Sequence, residues 1–293
     1  MMQTPELVSD RVSIVIPAKN EAASLGTLVP ALRAVFPESE IIVVDDGSTD
    51  NTGEIARNAG AFVKRHVYSI GNGGAIKSGL ALASHACVIT MDADGQHTPT
   101  DAARVFKRFK SSGLDMVVGA RTQNGQASLL RGIGNKFYNG LSSWVVGHEI
   151  ADLTSGLRAV DKNKALRFVD LFPNGFSYPT TITMAFFRSG YGVGYLGIDV
   201  KKRIGKSHLR IIKDGAKFLL IIFKVCTLYS PLKLFVPVSL SFFVLGLANY
   251  IKTYFLNGTF TNMSALMFVA SIIIFLIGLV SEQITALMYK GQK

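Results

Sequence analysis

Hydrophobic positions in the amino-terminal part of the chain fall into short β-branched runs separated by segments with helical spacing. Val12 to Ile16 is such a run, closed by Pro17, and Glu21 to Val35 then carries Leu25, Leu28, Leu32 and Val35 along one helical face. Ile41 to Val44 predicts a second buried strand, Thr52 to Asn58 a helix, and Ala61 to Val67 a third strand. A glycine-rich turn, Gly71 to Gly74, opens a helix over Ala75 to Ser84. The apolar run that starts at Cys87, a helix over Thr100 to Lys110 and a strand over Leu114 to Ala120 continue the series. Strands alternating with helices predict a mainly parallel sheet covered on both faces.

The pattern changes further along. Lys136 to Val146 places Phe137, Tyr138, Leu141, Trp144 and Val145 at helical spacing, which suits either a core helix or one dipping into a bilayer interface. Tyr191 to Arg203 alternates as a strand pair or hairpin. His208 to Tyr229 interleaves Lys213, Lys217 and Lys224 with bulky apolar residues and predicts an amphipathic helix lying on a membrane surface. Leu234 to Ile251 and Met263 to Val280 are nearly uninterrupted apolar stretches, each approaching the ~20 residues that cross a bilayer. Asn257 to Asn262 separates them, which predicts a tight hairpin.

Composition supports this division. A content of 48% hydrophobic and 17% charged residues is too apolar for an ordinary soluble enzyme of 293 residues. The net charge of +11 is concentrated at Lys201, Lys202, Arg203, Lys206, Arg210, Lys213 and Lys217, just before the apolar tail, where it suits anionic lipid headgroups. No aromatic-interleaved RNA-binding motif is present, so nucleic acid is not an expected partner. Cys87 and Cys226 are expected to be buried thiols. The residues from Met1 to Glu6 form no apolar signal region, and Lys and Arg flank the spans, with Lys290 and Lys293 after the second. The expectation is a multi-pass protein of the inner (plasma) membrane with both termini cytoplasmic. Glu282, at the inner end of the second span, either snorkels or partners a basic group of the juxtamembrane helix.

The chemistry concentrates where strands should end. Pro17-Ala18-Lys19-Asn20-Glu21, Asp45-Asp46-Gly47-Ser48 and Asp92-Ala93-Asp94 all follow strand runs, and open α/β sheets bind ligands outside the carboxyl ends of their strands. Asp92 and Asp94 with Gln96 offer oxygen ligands suited to Mg²⁺ or Mn²⁺, and such ions take part of their shell from substrate phosphates. The alternative is that Asp92 and Asp94 cap the helix near Pro99. Likewise Asp45 and Asp46 either accept from a base or ribose or make a locally capped turn.

Taken together and in order, Val-Ser-Ile-Val-Ile-Pro-Ala-Lys-Asn-Glu, Val-Val-Asp-Asp-Gly-Ser-Thr-Asp and Met-Asp-Ala-Asp-Gly-Gln-His resemble the inverting GT-A glycosyltransferases of family 2, up to about Ala120. The resemblance implies that Pro17, Ala18, Asn20, Glu21, Asp45, Asp46, Asp92 and Ala93 line a nucleotide site. It also implies that Asp92, Asp94 and Gln96 hold the metal, with Asp94 central to catalysis. Asn72 and Lys77 either reach the base or diphosphate or serve the start and surface of their helix. Gly119-Ala120-Arg121, Arg131, Asp152 to Arg158, and Arg203 to Ser207 resemble the polyprenyl-phosphate branch, of the dolichyl-phosphate mannose synthase and bacterial undecaprenyl-phosphate type. That likeness implies an acceptor phosphate held by Arg121, Arg131, Ser155 and Arg203, and Arg suits this because its planar fork binds phosphate oxygens in pairs.

The fold expected is α/β: a Rossmann-like, mainly parallel GT-A domain over 1–205, an interfacial amphipathic helix over 206–231, and a two-helix transmembrane hairpin over 232–293, with spans at about 234–251 and 263–281. The activity implied is metal-dependent, inverting transfer of a sugar from a nucleotide-diphosphate sugar, UDP favoured over GDP, to undecaprenyl or dolichyl phosphate. Relatives with such a tail suggest a homo-oligomer. Two rivals stand: a transferase acting on another lipid or a polysaccharide, and a non-catalytic membrane protein that binds nucleotide sugar.

Overall fold

The computed structural model describes residues 7–121, 129–175, 178–199, 223, 226–227 and 230–290, with backbone alone at 129–137 and 289–290. The chain forms two compact units, 1–141 with 148–209, and 142–147 with 210–293. In the first unit, β1 (Ser13–Ala18), α1 (Ala22–Val35), β2 (Glu40–Asp45), α2 (Thr52–Asn58), β3 (Phe62–Arg65), α3 (Asn72–Leu82), β4 (Cys87–Thr90), α4 (Pro99–Ser112) and β5 (Met116–Arg121) follow the expected alternation. Then come α5 (Leu129–Val146), β6 (Arg158–Asp161), α6 (Lys162–Leu166), α7 (Tyr178–Arg188) and β7 (Val193–Ile198).

The seven strands form one sheet in the order β3-β2-β1-β4-β6-β5-β7. β1 pairs parallel with β2 and β4, β2 with β3, and β5 with β7, whereas β6 runs antiparallel to both β4 and β5. The carboxyl ends of six strands and the amino end of β6 therefore share one edge. Val12, Ile14, Val15, Ile16, Ile42 and Val43 have no exposed surface, as expected of strands covered on both faces.

Three elements differ from expectation or were not expected. Where Tyr191 to Arg203 was expected as a strand pair or hairpin, its described part, 191–199, holds the single strand β7, in parallel register with β5 from Met116↔Val193 to Arg121↔Ile198. Alternation marks a half-buried strand but carries no information about its partner. β6 and α7 give no clear pattern in the sequence. β6 is four residues long with a charge at each end, and α7 is buried from Tyr178 through Phe186, leaving no polar face to set a helical period.

In the second unit, α8 (Pro231–Asn257) and α9 (Asn262–Lys290) extend beyond the expected spans at both ends. Both are long and apolar enough to cross a membrane, each holding an 18-residue stretch whose mean hydropathy is 1.9 in α8 and 2.7 in α9. A seam of small and polar residues joins them. Ser239 Oγ donates to the Ser271 carbonyl at 2.9 Å, Asn249 Nδ2 donates to Ser264 Oγ at 2.9 Å, and Gly278 lies against Phe235. Leu232 N donates to Glu282 Oε2 at 3.4 Å, so Glu282 meets the amino terminus of α8. Lys233 Nζ donates to the carbonyls of Trp144 and Val145 at 3.0 and 2.8 Å, capping the last turn of α5. Most of the expected interfacial helix at 206–231 lies outside the described residues.

At the carboxyl edge of the sheet, side chains stitch neighbouring loops together. Asn20, at φ 56°, takes the left-handed conformation that asparagine tolerates. Its N–H donates to Ser48 Oγ at 3.0 Å, and its Oδ1 accepts from Thr49 N at 2.9 Å. Glu21 N donates to Thr52 Oγ1 at 2.9 Å. Asp46 gathers the loop after β3: Oδ1 accepts from His66 Nδ1 and Ile70 N, and Oδ2 from Ser69 Oγ and Gly71 N, all at 2.7 to 2.8 Å.

Burial alone would raise the Asp46 pKa, but these four donors outweigh it and hold the carboxyl down at about 2. Its folded-state pKa lies below the unfolded value, so its stabilisation is present above about pH 4 and is lost as pH falls toward 2. Asp46→Asn should cost about 2 kcal/mol at neutral pH, and the gap in melting temperature between wild type and variant should close on acidification over that window. Gly79 of α3 lies so close to β1 that a Cβ there would sit 2.2 Å from Val15 Cγ1. Gly79→Ala should therefore destabilise by about 1–3 kcal/mol in a thermal melt.

Candidate active site

The stitched loops set one wall of the site. Pro17 and Ala18 end β1, and Asn20 and Glu21 follow in the loop bonded to Ser48 and Thr52. Asp45 is fully buried; its Oδ1 accepts from Ser48 N at 2.9 Å, and Arg65 Nε lies 3.6 Å from its Oδ2. The locally capped turn is therefore present at Asp45 to Ser48, and Asp45 and Asp46 shape the loops around any ligand there. Asn72 is exposed at the start of α3, where Gly73 N and Gly74 N donate to the carbonyls of Gly175 and Asn174, and Lys77 Nζ donates to Asn174 Oδ1 at 2.9 Å.

The loop after β4 carries Asp92, Ala93, Asp94 and Gln96. Capping of α4 falls to a different residue, Thr98, whose Oγ1 accepts from Asp101 N at 3.1 Å while its N–H donates to Asp101 Oδ2 at 3.4 Å. The capping role considered for Asp92 and Asp94 is thus already filled. Asp94 is 8% exposed, and its Oδ1 accepts from Gln96 N at 3.1 Å. Asp92 packs on Gly156 so closely that a Cβ at that glycine would stand 2.2 Å from Asp92 Oδ2.

Beside them His97 is 5% exposed, and its Nδ1 has no hydrogen-bond partner among the described residues. Burial pushes its pKa down, against the opposing pull of Asp92 and Asp94. Among the described residues no three His, Cys, Asp or Glu side chains converge as a closed metal cage. The donor set of this loop, two carboxylates with Gln96 two residues on from Asp94, is by its chemistry the kind that suits a hard divalent cation completing its shell from substrate phosphates and water.

The facing wall comes from Arg121, at the end of β5, and the segment leading into β6. Arg121 Nε and Nη2 donate to Asp152 Oδ2 and Oδ1 at 2.7 and 3.0 Å, its backbone N–H donates to Oδ2 at 3.2 Å, and Nη2 also meets Thr154 Oγ1. Nη1 has no bond among the described residues. Burial would raise the Asp152 pKa, but Arg121 holds it low; burial would lower that of Arg121, but Asp152 keeps it high. Asp152 Oδ1 also accepts from Thr154 N and Ser155 N at 3.0 and 3.1 Å, which fixes the turn. Ser155 is 2% exposed, and its hydroxyl has no partner among the described residues.

The structure thus assembles Asp92, Asp94, Arg121 and Ser155 at one edge; the Arg131 side chain and Arg203 lie outside the described residues. Asp152 and Arg158 stand out in the sequence only as members of a motif. The available signal for Arg158 is a lone charge directly preceding the apolar pair Ala159-Val160.

Comparison with known proteins agrees with this geometry. The glycosyl transferase family 2 model matches residues 13–170, and the GtrB C-terminal hairpin model matches residues 230–287. An undecaprenyl-phosphate 4-deoxy-4-formamido-L-arabinose transferase from Photorhabdus laumondii is 35% identical over 159 residues, 51% of this chain and 48% of that protein. The chain therefore spans about half the length of that curated relative. An undecaprenyl-phosphate mannosyltransferase from Micrococcus luteus is 28% identical over 215 residues, covering 68% of this chain and 87% of that protein. Glucosyl-3-phosphoglycerate synthase from Mycobacterium tuberculosis, solved with Mn²⁺, UDP and phosphoglyceric acid, shares the fold at a TM-score of 0.62 and 18% identity, over 77% of this chain and 84% of that one. With six of its seven strands and both walls of its site inside a match that spans more than half of its length, the chain belongs to glycosyl transferase family 2 and carries a GtrB-type C-terminal hairpin.

Proposed function

We propose that this protein transfers a sugar from a nucleotide-diphosphate sugar, UDP-sugar favoured, to a polyprenyl phosphate, with inversion at the anomeric carbon. The observation that carries the reading is the acceptor wall: a buried Ser155 hydroxyl without a partner among the described residues, next to an Arg121 with an uncommitted Nη1, facing a carboxylate loop. The named relatives are undecaprenyl-phosphate sugar transferases, which supports the same acceptor class.

In this reading Pro17, Ala18, Asn20, Glu21, Asp92 and Ala93 line the nucleotide, and Asp45 and Asp46 act by holding the loops. Asp92, Asp94 and Gln96 would hold a divalent cation, Mn²⁺ or Mg²⁺, which when bound neutralises charge on the leaving diphosphate. Arg121, Arg131, Ser155 and Arg203 orient the acceptor phosphate. That phosphate is already an anion at neutral pH and needs no strong general base. One of its oxygens forms the bond to the anomeric carbon as the bond to the diphosphate oxygen breaks, and the nucleoside diphosphate leaves. α8 and α9 anchor the protein in the membrane, with both termini on the cytoplasmic side.

Purified chain in detergent, given polyprenyl phosphate, a panel of UDP- and GDP-sugars and Mn²⁺ or Mg²⁺, should form a lipid-phosphate-linked sugar detectable by mass spectrometry, and a chelator should abolish it. Asp94→Asn should lower kcat/KM by about 100-fold or more. Failure of every donor to glycosylate polyprenyl phosphate would overturn the reading.

A further inference from the structure

Arg158, the first residue of β6, is 1% exposed and has no carboxylate partner within ion-pair distance among the described residues. Its donors go to neutral oxygens instead: Nε to the Ser155 carbonyl at 2.8 Å, Nη2 to the Leu153 carbonyl at 3.1 Å, and Nη1 to Thr183 Oγ1 at 2.6 Å. Thr183 passes its own hydrogen to the Pro179 carbonyl at 2.8 Å. Register places Thr90, Arg158, Val118 and Tyr195 in one row across the sheet, so their side chains share a face. Thr90 Oγ1 in that row donates to the Gly156 carbonyl at 3.0 Å. The carbonyls of 153, 155 and 156 are therefore all held from inside the sheet.

Burying an unpaired guanidinium is costly, and apolar side chains of similar volume commonly serve a fold at least as well. Burial pushes its pKa below the usual arginine value, and the carboxylates of Asp152 and Asp92 help to keep it charged. Asp92, Asp94 and Asp152 outnumber Arg121, so a second positive charge beneath the 152–156 segment offsets repulsion where a further anion must enter. Resting on the proposed transfer to a polyprenyl phosphate, we infer that Arg158 is a positioning residue for the acceptor: it grips the segment from beneath and so sets where the Ser155 hydroxyl and the Arg121–Asp152 pair meet the acceptor phosphate.

The test pairs kinetics with backbone amide exchange on full-length protein in detergent. Arg158→Met should lower acceptor kcat/KM by about 30-fold or more while the donor KM stays within about threefold, because only the acceptor wall loosens. Amides of 152–157 should exchange about tenfold or more faster than in wild type, with the β1 and β2 amides unchanged. Arg158→Lys, which keeps the charge with fewer donors, should recover part of both losses. Thr183→Val removes one anchor without touching the charge, and should raise the acceptor KM by about threefold; this variant decides the matter if Arg158→Met does not fold. Unchanged exchange at 152–157, an equal loss of donor and acceptor parameters without recovery by lysine, or an unaltered acceptor KM in Thr183→Val would each overturn the inference. The exchange measurement needs no turnover, so it still tests Arg158 if the wild type fails to glycosylate a polyprenyl phosphate.

Discussion

Asp92, Asp94 and Asp152 crowd one edge of the sheet, and the surrounding structure answers that concentration of carboxylates. Asp152 is answered directly by the fork of Arg121, and at longer range by the buried guanidinium of Arg158. Asp92 is set against Gly156, where no side chain intervenes. In the proposed reaction, a cation held by the two carboxylates of the loop after β4 and the diphosphate that arrives with it would each offset the charge of the other.

The reversal of β6 makes this arrangement possible. Every other strand delivers its carboxyl end to the edge, and a parallel strand between β4 and β5 would have delivered another such end. Running antiparallel, β6 presents its amino end, and the chain enters it through the 152–157 segment. That segment can then be bonded from two directions at once, by Arg121 from β5 and by Arg158 from its own first residue. The walls of the site thus differ in construction. Loops after β1 and β2 are tied to each other by Asn20, Glu21, Ser48 and Thr52, whereas the wall that carries Ser155 is tied to the sheet interior.

Much of this was legible in the sequence where local chemistry dictates structure. Runs such as Val12 to Ile16 and Ile41 to Val44 could only be buried strands, and the polar tetrapeptides that follow them had to emerge at strand ends. The long apolar stretches after Leu232 gave the hairpin, although α8 and α9 run further than their apolar centres because helices continue into polar flanks. Partners were not legible. Nothing in Asp45-Asp46 distinguishes one carboxylate with four donors from another turned toward Ser48 and Arg65. Arg121 looked like a group available to phosphate, yet two of its three nitrogens are committed to Asp152, a residue 31 positions away. Such pairings depend on β6 lying between β4 and β5, a long-range fact that no periodicity encodes.

The serine pair of the hairpin has a mechanical consequence. Ser239 and Ser271 meet hydroxyl to hydroxyl, with Ser239 also bonded to the facing backbone, within largely apolar stretches of the two helices. Sliding one helix past the other by a single residue would leave both hydroxyls facing hydrocarbon, so the pair acts as a detent that fixes the relative height of α8 and α9. In a lipid bilayer of changing thickness, the two helices would adjust by tilting together rather than by slipping.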